Sequence, residues 1–99
     1  MISRTTPKFW KCFDALPAEI QAKASDAYQL FRDDPWYPSL NFKRVHSRLP
    51  VYSARITLNY RALGVLKDER IVWFWIGSHP DYEALLKDLR KSQASPSSL

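Results

Sequence analysis

Ile71-Val72-Trp73-Phe74-Trp75-Ile76-Gly77-Ser78-His79-Pro80-Asp81 is the stretch on which the fold turns. Ile71 to Gly77 carries no charge and is almost wholly apolar, yet is far shorter than the ~20 residues that cross a bilayer. Such a run reads as a central strand with both faces covered. Ser78-His79-Pro80-Asp81 then reads as a helix start, with Ser78 or His79 as cap, Pro80 in the first turn and acids near the positive helix end. Leu85, Leu86 and Leu89 supply that helix with an apolar side.

Moving toward the N-terminus, two more strand-like runs appear. Val51 to Thr57 alternates, with Tyr52, Ala54 and Ile56 on one face and Ser53, Arg55 and Thr57 on the other. Tyr60 to Lys67 is the second run, and Lys67-Asp68-Glu69-Arg70 is the charged hairpin that joins it to Ile71. Asp33 to Ser39 is rich in turn formers. Before it, Thr6 as N-cap and Pro7 at the first helical position open a helix. Phe9, Phe13 and Leu16 form its apolar stripe; Pro17 breaks it and opens a second helix, with Ile20, Ala24, Ala27 and Phe31 at helical spacing to about Arg32. Ile2 to Thr5 is a candidate short strand at the sheet edge.

The expected fold is therefore α+β: an N-terminal helical hairpin packed on an antiparallel sheet, followed by a C-terminal helix, with helices on one face and the other partly open. Phe9, Phe13, Ile20, Phe31, Ile56, Leu63, Trp73, Phe74, Ile76 and Leu85 are the expected core. A chain of 99 residues holds one domain, placed at 1–91, with a flexible Ser-rich tail at 92–99.

Composition narrows function. Fifteen Lys and Arg face ten Asp and Glu, and no acidic residue lies between Asp34 and Asp68. That interval holds Lys43, Arg44, Arg48, Arg55, Arg61 and Lys67, with His46 among them; such a field suits a polyanion. Only two glycines are present, which counts against Gly-rich phosphate loops, and the single Cys12 forms neither an internal disulfide nor a zinc site. No metal-binding spacing occurs, and no cofactor is expected. With no apolar leader over residues 1–7 and no membrane-length run, the expected location is the cytoplasm.

Two sets of residues can carry chemistry. If residues 57–59 turn the chain, Arg55 stands opposite Arg61 and two guanidiniums emerge together. Opposed like charges are destabilising unless an anion sits between them, and the guanidinium fork fits phosphate; another register, or pairing of each with a surface carboxylate, is the competing reading. His79 sits at a helix N-terminus, where the positive end favours a neutral ring able to move a proton, or else serves as a structural cap. Tyr82, one turn on, can stack on a base or pack in the core. Asp81 and Glu83 read as partners of the helix dipole.

The runs Tyr52-Ser-Ala-Arg-Ile-Thr-Leu-Asn-Tyr-Arg-Ala-Leu63 and Ile71-Val-Trp-Phe-Trp-Ile-Gly-Ser-His-Pro-Asp-Tyr-Glu83, with Asp34-Pro35 and Ser39-Leu-Asn-Phe-Lys-Arg44 upstream, resemble the RelE/ParE superfamily of type II toxin–antitoxin toxins. The resemblance runs over roughly residues 2 to 90. It implies a small α+β toxin that is held inactive by a cognate antitoxin. RelE-like members are metal-independent endoribonucleases that cut mRNA, usually on the ribosome, by attack of the 2′-hydroxyl on the adjacent phosphate to give a 2′,3′-cyclic phosphate and a free 5′-hydroxyl. On that resemblance Arg61, His79 and Arg55 are the catalytic candidates, and Lys43, Arg44, His46, Arg48 and Tyr82 the RNA-binding ones. The alternative branch, ParE-like, inhibits DNA gyrase and needs no ribonuclease site.

Overall fold

The computed structural model describes residues 1–94. The chain order is β1 (Ile2–Thr5), α1 (Pro7–Asp14), α2 (Ala18–Asp33), a 3-10 turn (Pro38–Leu40), β2 (Lys43–Arg44), β3 (Val51–Thr57), β4 (Tyr60–Lys67), β5 (Arg70–Ser78) and α3 (His79–Ala94). The boundaries follow local chemistry. Thr6 caps α1 by accepting from the Phe9 N–H at 3.1 Å, with Pro7 in the first turn. Pro17 separates α1 from α2, and Gln21 Nε2 donates back to the Phe13 and Leu16 carbonyls at 3.0 and 3.3 Å, satisfying acceptors at the end of α1. At the start of α3, the Asp81 N–H faces Ser78 Oγ at 3.4 Å, so Ser78 is the cap.

The five strands lie in the order β1-β5-β4-β3-β2. The β3–β4–β5 meander is antiparallel, as expected, and β5 is an interior strand. The sheet as a whole is mixed, however, because β1 pairs parallel with β5. No hairpin dictates the direction of β1; α1, α2 and three further strands intervene before β5, which leaves a parallel pairing free to form. The β4–β5 hairpin turns on Asp68 and Glu69, at φ 53° and 64°, the left-handed pair that a two-residue turn between twisted strands requires.

A bulge governs how the interior strands serve both faces. Leu63 opposes Trp75 while Gly64 opposes Trp73, so Phe74 is the extra residue. The strand parity flips there. Ile71, Trp73 and Ile76 join Ala24, Ala27, Phe31, Leu40, Phe42, Ala54 and Ala62 in one core, while Phe74 and Trp75 pack with Val51, Leu63, Tyr82 and Leu86 in another. Gly64 permits the bulge because a Cβ there would come within 2.9 Å of both the Ile71 and Trp73 side chains.

Two cores mean two covered faces, which corrects the expectation of helices on one face. α1 and α2 cover one side of the sheet, and α3 folds back from β5 onto the other. The apolar side of α3 and the outward residues of the bulge require each other, so the second face is left open only beyond the helix. Phe9, Phe13, Ile56, Phe74 and Leu85 are half-buried and pack against these cores, whereas Phe31, Leu63, Trp73 and Ile76 are fully inside. The tail expected at 92–99 begins within α3, which runs to Ala94; the rest of it lies outside the described residues. Among the described residues no helix is long and apolar enough to cross a membrane.

Candidate functional site

Arg55 and Arg61 are paired in register, Cα to Cα, across β3 and β4. Both point to the α3 side of the sheet, since they alternate with Ala54 and Ala62, which enter the core beneath α1 and α2. Arg61 also opposes Gly77, and Tyr60 opposes Ser78, so the end of β5 brings His79 to the same corner. The His79 N–H donates to the Asn59 carbonyl at 2.7 Å and fastens the start of α3 to the β3–β4 turn. A bulge between Arg55 and Thr57 tightens that turn.

The two arginines are held differently. Arg61 Nη1 donates to the carbonyls of Thr57, Leu58 and Tyr60 at 2.7, 3.1 and 3.0 Å. One nitrogen of the guanidinium thus fixes the side chain on the turn. Partial burial, and then the nearby Arg55 charge, lower the pKa of Arg61 below the ordinary arginine value, opposed by Tyr82 and Glu83. Both causes disfavour a cation that has no anion beside it. Arg55 instead sends Nε to the Ser39 carbonyl at 3.1 Å, which ties β3 to the 3-10 turn.

His79 is half-exposed at the mouth of this corner. Its Nε2 lies 3.4 Å from Glu83 Oε1 and its ring centroid 5.6 Å from that of Tyr82. Sequence reasoning assigns Glu83 to the helix dipole; its place four residues after His79 is the signal for the pair. The carbonyls of Ser39 and Asn59 have no such signal, because backbone partners leave no trace in residue type.

The remaining candidates divide by burial. Lys43, Arg44 and Arg48 are exposed. Arg44 Nε and Nη2 donate to the His46 and Arg48 carbonyls at 3.0 and 2.9 Å, so Arg44 braces the loop after β2 while remaining at the surface. Arg90 of α3 lines a shallow cleft with Arg44 and His46, adding a cation that sequence reasoning missed. His46 itself is 4% exposed, and its Nδ1 accepts from the Arg48 and Leu49 N–H groups at 3.1 and 2.9 Å. It is the internal brace of the 46–49 loop and offers no ring to RNA. Tyr82 is buried among Val51, Leu63 and Leu86, so core packing rather than base stacking describes it.

An apolar cavity of about 380 Å³ lies on the opposite face, lined by Phe9, Phe13, Ala24, Ala27, Phe31 and Trp73 among others, and touches none of these candidates. Among the described residues no three His, Cys, Asp or Glu gather as a metal site.

The architecture matches solved toxins. A chain of the RelB–RelE antitoxin–toxin complex from Methanococcus jannaschii superposes with a TM-score of 0.68 at 13% identity, covering 83% of this chain and 96% of that one. YafQ from E. coli strain BL21(DE3) gives 0.66 at 12%, covering 81% and 94%. The Mycobacterium tuberculosis toxin–antitoxin complex RelBE2 gives 0.63 at 22%, covering 79% and 96%. At these identities the likeness shows the fold. A sequence search of curated proteins finds no significant match. The family model of the ParE-like toxin domain, however, matches residues 18–84, from the start of α2 into α3 and through the whole meander that carries Arg55, Arg61 and His79. Sequence and fold agree over most of the chain, which belongs to the ParE-like toxin domain family of the RelE/ParE superfamily.

Proposed function

We propose that this chain is the toxin of a type II toxin–antitoxin pair and acts as a metal-independent endoribonuclease on mRNA, at the ribosome, so that translation stops. The observation that carries this reading is the in-register pair Arg55 and Arg61 beside the His79 end of α3. Transesterification needs positive charge on a pentavalent phosphorane and a group that moves a proton. Arg61 is anchored through Nη1, which leaves the rest of its guanidinium for the non-bridging oxygens. Arg55 assists from the facing strand. His79 exchanges the proton with the 2′-hydroxyl or the departing 5′-oxygen. Lys43, Arg44 and Arg48 guide the flanking phosphates, as unpaired surface cations do.

A cognate antitoxin is the expected protein partner. The M. jannaschii and M. tuberculosis structures are toxin–antitoxin complexes, which supports it. An excess of basic residues favours an acidic, amphipathic antitoxin segment. The cytoplasm, where ribosomes work, is the matching location.

The test is incubation of the purified chain with mRNA, with and without ribosomes, alongside a gyrase supercoiling assay. Cleavage with 2′,3′-cyclic phosphate ends is the expected result. Intact mRNA in both arms together with inhibited supercoiling transfers the chain to the gyrase-directed branch. Intact mRNA with unaffected gyrase leaves a binding module and overturns both.

A further inference from the structure

The first turns of α3 hold two acids. Asp81 is the one placed to answer the helix dipole, whose effect fades within the first turn. Glu83 does something else: it reaches back along the helix to His79, Oε1 to Nε2 at 3.4 Å. The ring is then bounded on two sides: the Tyr82 ring stands 5.6 Å away toward the core, and Glu83 Oε1 closes on Nε2. The backbone below it is fixed as well, its N–H bonded to the Asn59 carbonyl at 2.7 Å.

We propose that Glu83 is a positioning residue for His79: its carboxylate takes the Nε2–H, fixes the ring in one rotamer and leaves Nδ1 to exchange a proton with RNA. The RNA half of this statement rests on the ribonuclease reading; the ring half is a property of the free protein. A hydrogen bond at one imidazole nitrogen decides which tautomer the other presents, which is how an orienting carboxylate acts through a histidine. The other charged or titratable groups around the ring are Asp81 and Tyr82 on α3 and Tyr60 and Arg61 on β4, with Arg55 facing Arg61 from β3. Arg61 lies close enough to be influenced by Glu83.

The experiment compares the full chain with Glu83→Ala and Glu83→Gln. Three-bond couplings of His79 report its χ1 rotamer, and cleavage of mRNA on ribosomes gives kcat and KM. Glu83 is 58% exposed at its side chain, so neither variant threatens folding. The expected result is one rotamer in wild type and averaging in Glu83→Ala, with kcat down about tenfold, the lower end for an orienting partner, and KM unchanged. Glu83→Gln, whose amide oxygen still accepts from Nε2–H, is expected to keep the single rotamer and most of kcat. A single rotamer retained in Glu83→Ala, or a loss confined to KM, overturns the proposal. A wild-type chain that cuts no RNA while Glu83→Ala still frees the ring counts against the ribonuclease reading and upholds the pairing.

Discussion

Arg55 and Arg61 face each other directly across the β3–β4 ladder, yet their guanidiniums are drawn to carbonyls in different places, Arg55 to Ser39 and Arg61 to the Thr57–Tyr60 turn. Neither takes part in an ion pair; among the described residues Arg32 pairs with Asp33, while Glu83 stands against the His79 ring. Opposed like charges are destabilising in a ladder. Carbonyl dipoles hold these two without neutralising them, and an anion that enters between them removes the cost. On the ribonuclease reading proposed above, the pair is where a phosphate would sit, held at the expense of local stability.

That arrangement predicts opposite effects on stability and binding. Arg55→Gln should leave the thermal midpoint unchanged or slightly raised at low salt, because the repulsion goes and only the Ser39 contact is lost. The same change should weaken RNA binding. A clear fall in the thermal midpoint in calorimetry would mean the Ser39 contact outweighs the repulsion.

Arg61 should separate catalysis from binding. Charge on the phosphorane exceeds that on the ground-state phosphodiester, so Arg61→Ala should lower kcat more than it raises KM. Removing one preorganised donor of this kind typically costs about 10²–10³ in kcat. Arg61→Lys should restore only part, because an ammonium cannot both hold the turn carbonyls and present a second edge to phosphate. Single-turnover cleavage with both variants checks this; full recovery by lysine would assign Arg61 a point-charge role.

RNA affinity should fall steeply with salt. For single strands each neutralised phosphate contributes a slope of about −0.7 in log K against log salt. Lys43→Ala and Arg48→Ala, both at exposed positions, should each flatten the slope by about that amount and weaken all RNA sequences alike. Titrations at several ionic strengths measure it, and a salt-independent affinity would point to a ligand other than a polyanion.

The meander is legible in the sequence because it is written in local rules. Alternation in Val51–Thr57 marks β3 and the charged Lys67–Arg70 run marks the β4–β5 turn; a turn across residues 57–59 gives Arg55 opposite Arg61, one of the registers open in the sequence and the one the β3–β4 ladder contains. What stays hidden is non-local. The bulge at Phe74 depends on Gly64, ten residues away on another strand, and only that bulge sends Phe74 and Trp75 both to the α3 side. Residue types alone do not announce it, and without it the second face reads as open. His46 misleads for a related reason: a basic neighbourhood in sequence says nothing of a ring turned inward to accept two backbone N–H groups.

The first core should be sensitive at Phe31. Its ring meets Phe42 edge-on at 5.0 Å and Trp73 at 5.3 Å, and the residue is buried. Phe31→Ala should destabilise by roughly 3–5 kcal/mol, a large share of what a domain of this size holds. Denaturant unfolding reads this directly; a cost under about 1 kcal/mol would mean that the adjoining cavity collapses onto the gap.

His79→Ala tests the chemistry itself. The residue has three roles that one substitution could confuse: it starts α3, it contacts Glu83 and Tyr82, and it is the proposed proton carrier. The backbone bond from its N–H to Asn59 survives any side-chain change, and Ser78 is the cap, so the start of α3 should persist and far-UV circular dichroism should stay the same. RNA affinity should hold as well, because Arg55, Arg61 and the exposed cations around Lys43 are untouched. What remains is general acid–base catalysis, whose removal typically costs about 10²–10⁴-fold in rate. His79→Gln, which keeps a hydrogen-bonding group but cannot carry a proton at neutral pH, should be as slow as alanine. If glutamine recovered the wild-type rate, His79 would serve by hydrogen bonding alone, and the proton would have to pass through another group.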